Sequence, residues 1–183
     1  MTETIISPNI KLRPQLPEDE TFLVAVYGST REQELAMVPW TAEQKETFLR
    51  FQLTAQLRHY QTEYPNAEFS IILFETEPVG LFETEPVELF ETEPVGRLYV
   101  DRRETEFRIM DITLLPAHRG KRISSPIINR LKNEAATVGK NLSINLDKLS
   151  QSHSVFEHLG FKATEDTGFH VLYVWKPAED QSG

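Results

Sequence analysis

One segment near the middle of the chain limits the folds that are open to it. Residues 107–115, FRIMDITLL, have the composition and alternation of a β-strand, which Pro116 ends. A basic turn with one glycine, HRGKRISS at 118–125, leads into a predicted helix over about 124–138. The stretch NLSINLD at 141–147 then reads as a buried strand. Because a helix between two strands returns the chain to a parallel neighbour, this segment predicts a crossover in a sheet with a parallel pair.

The rest of the pattern places further strands and helices around this segment. Thr41 and Gln44 form a capping-box pattern before a long amphipathic helix, and the composition becomes β-rich after Pro65. Further strands are predicted at 10–15, 68–74, 96–101, 161–166 and 169–176, and further helices at 18–27, 30–37, 41–65 and 150–159. This order predicts a protein of the α/β class whose central sheet is mixed, as in α+β folds, with helices on both faces of the sheet. We expect a single domain over residues 1–176 and a disordered tail over 177–183.

The basic turn is a candidate anion site. The first amides of a helix have no partners within the helix and point towards whatever lies in front of them. Arg119, Lys121 and Arg122 would add three positive charges to those amides. A ligand that carries phosphate fits such a turn, and the plain alternative is a solvated basic loop without a ligand.

Two motifs in this setting resemble the GNAT superfamily of N-acetyltransferases. LLPAHRGKRIS resembles its acetyl-CoA loop, Q/R-x-x-G-x-G/A, with Arg119 in the first place, Arg122 in the glycine place and Ser124 in the small-residue place. VFEHLGF at 155–161 resembles the second signature, an aromatic-x-x-x-G-F at the end of the last helix, and the order of elements matches over about residues 9–176. The resemblance implies a GNAT-like acyl-CoA N-acyltransferase fold, with acetyl-CoA as co-substrate.

The resemblance also implies how acetyl-CoA is held. In this superfamily the loop amides hold the pyrophosphate, and the strand before the loop splays from its parallel neighbour, so that freed amides hold the pantetheine arm and polarise the thioester carbonyl. The residues implied to contact acetyl-CoA are Leu114, Leu115, Arg119, Gly120, Lys121, Arg122, Ile123, Ser124, Ser150 and Phe156. An amine then attacks the thioester directly, and a base must take its proton.

Asp111 is the candidate base. The resemblance places the reacting centre beside its strand, and alternation puts Asp111 on one face with the apolar Phe107 and Ile109. A carboxylate among apolar neighbours holds its proton more tightly than one in water, which suits a base near neutral pH. The alternative is a structural carboxylate that bonds Thr113 or Arg97.

Three aromatic residues are candidates for the acceptor side, which the resemblance places on the first helices. They are Trp40, Tyr60 and Tyr99. Each has a plainer alternative: a core or edge aromatic for Trp40, simple exposure for Tyr60 and core packing for Tyr99.

Several positions depart from the pattern of the superfamily. Arg122 stands where glycine allows a positive φ and a close approach of the backbone to the pyrophosphate. Phe156 replaces a frequent tyrosine that protonates the leaving thiolate, and Ser150 replaces a frequent asparagine that contacts the cofactor. The sequence therefore leaves two functions open. One is an acetyl-CoA-dependent N-acetyltransferase for a small-molecule or protein amine, and the other is a GNAT-fold protein with weakened or lost acetyl-CoA binding that acts as a binding or assembly module.

A threefold octapeptide repeat fills residues 73–96, as LFETEPVG, LFETEPVE and LFETEPVG. It lies between two predicted strands, and its even length preserves the face that each side chain takes, so we expect an extended hairpin that turns at 83–86. Its apolar side chains would need a surface to pack on, which predicts a homodimer through residues 73–96. The alternatives are a tandem duplication without a role at a tolerant loop tip and an acidic arm that recruits a basic partner.

Composition excludes several functional classes. The seven glutamates of the repeat account for most of the net charge of −9 and leave −2 for the rest, which lacks the basic face of a nucleic-acid binder. The chain has no cysteine, and its five scattered histidines show no paired spacing, so no metal site is expected. Because neither a signal peptide nor a run of about 18 apolar residues is found, we expect a cytoplasmic protein without a membrane partner.

Overall fold

The fold is a mixed sheet with five helices, given by a computed structural model that describes residues 3–76 and 91–178. The strands are β1 (Thr4–Ser7), β2 (Ile10–Pro14), β3 (Glu68–Thr76), β4 (Glu91–Arg102), β5 (Glu106–Leu114), β6 (Asn141–Asp147), β7 (Lys162–Asp166) and β8 (His170–Trp175). The helices are α1 (Glu20–Gly28), α2 (Glu32–Ala36), α3 (Ala42–Glu63), α4 (Ser124–Thr137) and α5 (His153–His158), and 3-10 turns lie at Pro17–Asp19 and Pro116–His118. Within the described residues, the strand order is β1-β2-β3-β4-β5-β6-β8-β7, and β5 and β6 are parallel. The predicted α/β class and the parallel pair on either side of α4 are confirmed.

The long helix begins as its sequence predicts. Gln44 Oε1 accepts a hydrogen bond from the Thr41 amide at 2.9 Å, and Thr41 Oγ1 accepts one from the Gln44 amide at 3.2 Å. This capping box satisfies amides that the first turn of α3 leaves without partners. Leu49, Leu53 and Leu57 then recur at helical spacing and pack against the core.

The structure differs most from the sequence prediction at three elements, and several other boundaries shift by one or two residues. The short strand β1 was not predicted. Strand β4 begins at Glu91 rather than at Gly96, so most of the third octapeptide is strand, as an extended hairpin requires. Helix α5 begins at His153 rather than at Ser150, because the Ser150 amide closes a turn onto the Asp147 carbonyl at 2.9 Å. The turn predicted at 83–86, most of the arm predicted to form a homodimer, and the last five residues of the predicted tail lie outside the described residues.

The chain divides into two compact units that are interleaved in sequence. The first comprises Met1–Leu57, Phe69–Arg97 and Thr113–Ile123. In it, β2 pairs antiparallel with β3, from Ile10 opposite Phe74 to Pro14 opposite Ser70. Its core joins one face of α1 and of α3 to β3, through the buried residues Leu23, Val24, Tyr27, Leu53, Ile71 and Leu73. The single domain expected over residues 1–176 stays a prediction.

The second unit comprises Arg58–Glu68, Leu98–Ile112 and Ser124–Gly183. Its helix α4 packs against β6, and its strands pair in parallel between β5 and β6 and antiparallel between β6 and β8 and between β7 and β8. The apolar residues of α4 that are buried are Ile127, Ile128, Leu131 and Ala135, which recur at the spacing of one helix face. This helix therefore packs an apolar stripe against β6.

Candidate functional site

Residues 118–123 of the basic turn, which belong to the first unit, have the backbone of an anion site. Arg119 is extended, with φ −69° and ψ 149°, and Gly120 and Arg122 take positive φ values of 75° and 59°. Turns with left-handed residues bring successive amides onto one concave side, where an anion can accept from them. Within the described parts of the chain, the amides of Gly120, Lys121 and Arg122 donate no hydrogen bond. These amides are therefore available to a ligand.

The side chains of the turn add positive charge on the surface. Lys121 and Arg122 are exposed, and neither forms an ion pair with a carboxylate among the described residues. Ile123, the next residue, is only 1% exposed and anchors the end of the turn in the core. The turn thus combines a buried anchor with two cations that face solvent.

The Arg119 side chain forms hydrogen bonds with other parts of the protein. Its Nε donates to the Leu114 carbonyl at 3.0 Å, and its Nη2 donates to Ser29 Oγ at 3.0 Å. Ser29 in turn donates its hydroxyl to the Val26 carbonyl at 2.8 Å, at the end of α1. The guanidinium therefore joins the end of β5 to the end of α1 through its own hydrogen bonds.

The root of the turn is packed closely against β4. The Leu115 amide donates to the Val95 carbonyl at 2.9 Å, so the donation to a ligand predicted for Leu115 would require that bond to open. A Cβ added at Gly96 would lie 2.3 Å from the Thr113 carbonyl oxygen and 3.1 Å from Leu114 Cα. Only glycine fits at this point without a shift of backbone.

His118 contacts residues of the octapeptide repeat, which the sequence did not predict. Its Nε2 lies 3.6 Å from Glu93 Oε1, and its ring lies 6.4 Å, centroid to centroid, from that of Phe74. Phe74 belongs to the first octapeptide and Glu93 to the third. The outer copies of the repeat therefore touch the root of the basic turn, a tertiary contact for which the sequence carries no signal.

Asp111 belongs to the second unit. It lies in β5 after Phe107 and Ile109, which are 6% and 1% exposed, and alternation places all three on one face. Asp111 itself is partly exposed. A partly exposed carboxylate at the end of a buried row can reach solvent or a ligand from an apolar surface.

The predicted acceptor residues occupy different surroundings. Tyr60 and Tyr99 meet edge to face in the second unit, with ring centroids 6.2 Å apart. Tyr99 is fully buried, which agrees with the packing alternative for it, whereas Tyr60 is partly exposed. Trp40, in the first unit, is 41% exposed and stacks edge-on against Phe48 at 5.2 Å. Of the three, Tyr60 and Trp40 have aromatic surface that a ligand can contact.

Ser150 and Phe156 both have structural contacts in the second unit. Ser150 Oγ accepts a hydrogen bond from the Ser152 amide at 3.2 Å, just before α5. Phe156 is 2% exposed, and its ring meets that of Phe161 edge to face at 5.2 Å. Their predicted contacts with acetyl-CoA stay predictions beside these packing roles.

A hydrogen-bonded group fixes α5 on β8. Tyr173 donates its hydroxyl to Glu157 Oε1 at 3.0 Å and lies 3.1 Å from His153 Nδ1, while His153 Nε2 lies 2.9 Å from the Asp147 carbonyl oxygen. Burial, and then the carboxylate of Glu157, raise the pKa of Tyr173 above its ordinary value. This phenol therefore stays protonated at neutral pH and acts as a structural donor.

Among the helices of residues 3–76 and 91–178, none combines the length and the apolar composition of a membrane span. Over the same residues, no group of three or more histidine, cysteine, aspartate or glutamate side chains could hold a metal ion.

Comparisons with known proteins give a family from a sequence model and a shared fold from solved structures. The model of the acetyltransferase (GNAT) domain matches residues 38–171. A similar fold is found in the Salmonella typhimurium acetyltransferase that modifies the N-terminal serine of ribosomal protein L7/L12, with a TM-score of 0.61, 16% identity and coverage of 96% of this chain and 99% of that one. The PaiA N-acetyltransferase of Thermoplasma acidophilum, in complex with coenzyme A, has a similar fold with a TM-score of 0.59 and 13% identity, and the match covers 91% of this chain and 98% of that one. An acetyltransferase of Thermus thermophilus has a similar fold with a TM-score of 0.58 and 16% identity, and the match covers 92% of this chain and 97% of that one. Among curated proteins, no sequence matches this chain significantly.

Proposed function

This chain belongs to the GNAT acetyltransferase family, and from that premise we propose that it is an acetyl-CoA-dependent N-acetyltransferase that transfers an acetyl group to a primary amine. The acceptor is an amine of a small molecule or of a protein. A protein amine has support from the Salmonella typhimurium neighbour, which modifies the N-terminal serine of a ribosomal protein. Coenzyme A as the carrier has support from the bound coenzyme A of the Thermoplasma acidophilum neighbour.

The backbone of the basic turn is the observation that carries this proposal. Positive φ values at Gly120 and Arg122, and free amides from Gly120 to Arg122, fit a diphosphate, which offers oxygen acceptors and needs amide donors. Lys121 and Arg122 would add charge-assisted contacts because no carboxylate occupies them among the described residues. When bound, acetyl-CoA supplies an activated acetyl group as a thioester.

Asp111 is the proposed base. Its carboxylate would take a proton from the ammonium form of the acceptor, so that the neutral amine can attack. Tyr60 and Trp40 would contact the acceptor, and the buried Tyr99 would act by fixing the ring of Tyr60.

Calorimetric titration with acetyl-CoA is the first test. We expect binding with a dissociation constant in the micromolar range, followed by acetyl transfer to a peptide with a free N-terminal serine or to a small alkylamine. Absence of both binding and transfer would refute the proposal. Asp111→Asn should lower kcat by about 10²–10⁴-fold, the usual contribution of general-base catalysis. It should leave acetyl-CoA affinity unchanged, and an unchanged kcat would remove Asp111 from the role of base.

A second candidate function has one specific observation in its favour. Arg122 has a positive φ of 59° in the glycine place of the loop, so it brings a Cβ and a long side chain to a position where the loop pattern has glycine and the backbone can approach the diphosphate closely. This favours a GNAT-fold protein with weakened acetyl-CoA binding that serves as a binding or assembly module, with residues 73–96 as its assembly segment. Arg122→Gly separates the two: a rise in acetyl-CoA affinity of tenfold or more would support the weakened form.

A further inference from the structure

We infer that Arg119 is a positioning residue for the basic turn and not a ligand of the phosphates. The inference rests on the proposed function for its effect on acetyl-CoA. Its physical basis is the pair of hydrogen bonds from one guanidinium, Nε to the Leu114 carbonyl and Nη2 to Ser29 Oγ, both at 3.0 Å. A guanidinium presents its donors in a fixed plane, so two acceptors in that plane set its orientation.

The acceptors explain why the side chain turns this way. Ser29 follows α1 directly, and the carbonyl end of a helix is the negative end of its dipole, which favours a cation. The Nη2 atom also lies 3.4 Å from the Ser29 carbonyl oxygen, and the Ser29 hydroxyl donates its own hydrogen bond to the Val26 carbonyl. Arg119 thus completes a chain of donors and acceptors at the end of α1.

The hydrogen bond to the Leu114 carbonyl fixes the start of the turn. Leu114 is the last residue of β5, and the Leu115 amide of the next peptide is bonded to Val95. With the Leu114 carbonyl held by Arg119 and the Leu115 amide held by Val95, the peptide between these two residues is fixed at both its polar groups. The free amides that begin at Gly120 start one residue after Arg119, so their direction depends on this root.

Side-chain chemistry gives a test that separates position from charge. The Nε atom of arginine is four bonds from Cα, and the amide nitrogen of glutamine is also four bonds from Cα, whereas lysine has a methylene there. Glutamine can therefore keep the bond to Leu114 without the charge, and lysine can keep the charge without that bond. A positioning role predicts that Arg119→Gln is the better-tolerated change, and a phosphate-binding role predicts that Arg119→Lys is.

Hydrogen exchange of the ligand-free protein is the first experiment. We expect the Leu115 and His118 amides to exchange about tenfold faster in Arg119→Met and Arg119→Lys than in the wild-type chain, and at nearly the wild-type rate in Arg119→Gln, because one hydrogen bond contributes about 1 kcal/mol. Arg58→Gln, an exposed arginine of α3, is the matched control and should change neither amide. Equal exchange in all the Arg119 variants, or protection kept by lysine and lost with glutamine, would overturn the inference.

Calorimetric titration with acetyl-CoA is the second experiment. Arg119→Gln should bind within about threefold of the wild-type chain and Arg119→Lys about tenfold more weakly, and kcat at saturating acetyl-CoA should be unchanged in both. Ser29→Ala should weaken binding in the wild-type background but not in Arg119→Met, because the two residues share one contact. The reverse ranking of lysine and glutamine would assign Arg119 to the phosphates. If the wild-type chain binds no acetyl-CoA, the proposed function fails, and the exchange ranking still decides the role of Arg119.

Discussion

Replacing Arg122 by glycine should stabilise the protein. Arg122 is the only non-glycine residue with a positive φ in residues 3–76 and 91–178, at 59°. The left-handed conformation costs an L-residue roughly 1–2 kcal/mol, because Cβ comes too close to the following carbonyl oxygen. Glycine avoids that cost, but it also gives the unfolded chain more conformational freedom, which lowers the stability of the folded state by about 0.4–1 kcal/mol. The net gain is about 1 kcal/mol, or a rise in Tm of about 2–4 °C for a chain of this size.

Two further variants separate backbone strain from charge. Arg122→Ala removes the charge but keeps Cβ, so its free energy of unfolding should stay within about 0.5 kcal/mol of the wild-type value. Gly120→Ala adds a Cβ at a φ of 75° where no heavy atom lies within 4 Å, so it should lower stability by about 1 kcal/mol through backbone strain alone.

Urea denaturation at two salt concentrations measures these differences. Strain at Arg122 predicts that the gain from glycine is independent of salt and absent from the alanine variant. If alanine stabilises as much as glycine, and added salt removes the gain, then repulsion among Arg119, Lys121 and Arg122 is the cause and the reasoning from φ is refuted.

Substitutions at Asp19 and at Gly96 should each lower the stability of the protein, because each disturbs a specific contact. Asp19 is 6% exposed and accepts both ends of the Arg13 guanidinium, at 2.7 and 2.6 Å, and these bonds lower the pKa of Asp19 below its ordinary 3.8. The ionised pair therefore contributes fully above about pH 4 and is lost as the pH falls through the lower folded-state value. Asp19→Asn should cost about 2–3 kcal/mol at pH 7, because it weakens charge-assisted hydrogen bonds to the partly exposed Arg13. The difference in free energy of unfolding from the wild type, measured by urea titration, should narrow in acid, and a difference that is constant with pH would contradict this. Gly96→Ala should cost about 2–3 kcal/mol from its clash with Thr113, whereas Gly28→Ala, which meets only the mobile end of Leu49, should cost far less in the same assay.

The parts of the fold that the sequence predicted are those with strong local signals. The crossover from β5 through α4 to β6 carries a change of period, a proline and a glycine, and its parallel pairing is confirmed. Strand β1 has only four residues, TIIS, which is too short for a pattern. The separate strand predicted at 96–101 stops short of the start of β4 at Glu91, because glutamate, threonine and proline in ETEP are typical of a turn. The extended hairpin expected for the repeat does place strand before Gly96, since its second arm follows a turn at 83–86.

The candidate site divides in the same way. The glycine place in the loop pattern marks a position where a positive φ is allowed, and the structure has a positive φ at Arg122, which occupies that place. The direction of Arg119 depends on Ser29, which is 90 residues away in the chain, and no local pattern reports such a contact. The same holds for the edge-to-face pair of Tyr60 and Tyr99.

Gly96 also decides which octapeptide can precede Arg97. The first and third copies are identical, so deletion of residues 81–96 gives the same chain as deletion of 77–92, with one LFETEPVG joined to Arg97. That chain keeps glycine beside the Thr113 carbonyl, where a Cβ would lie at 2.3 Å. We therefore expect the one-copy protein to fold, with a Tm within a few degrees of the parent.

The second copy provides a matched control because it ends in Glu88. A chain with the single copy LFETEPVE before Arg97 has the same length as the one-copy protein and differs from it only by glutamate in the place of glycine. We expect it to be less stable by at least about 2–3 kcal/mol, because its Cβ must displace the Thr113 backbone or the root of the basic turn. Equal stability of the two chains in urea would show that β4 can shift there. Sedimentation of the glycine-ending chain tests assembly as well, since an oligomeric state equal to that of the parent would exclude a homodimer held by the repeat.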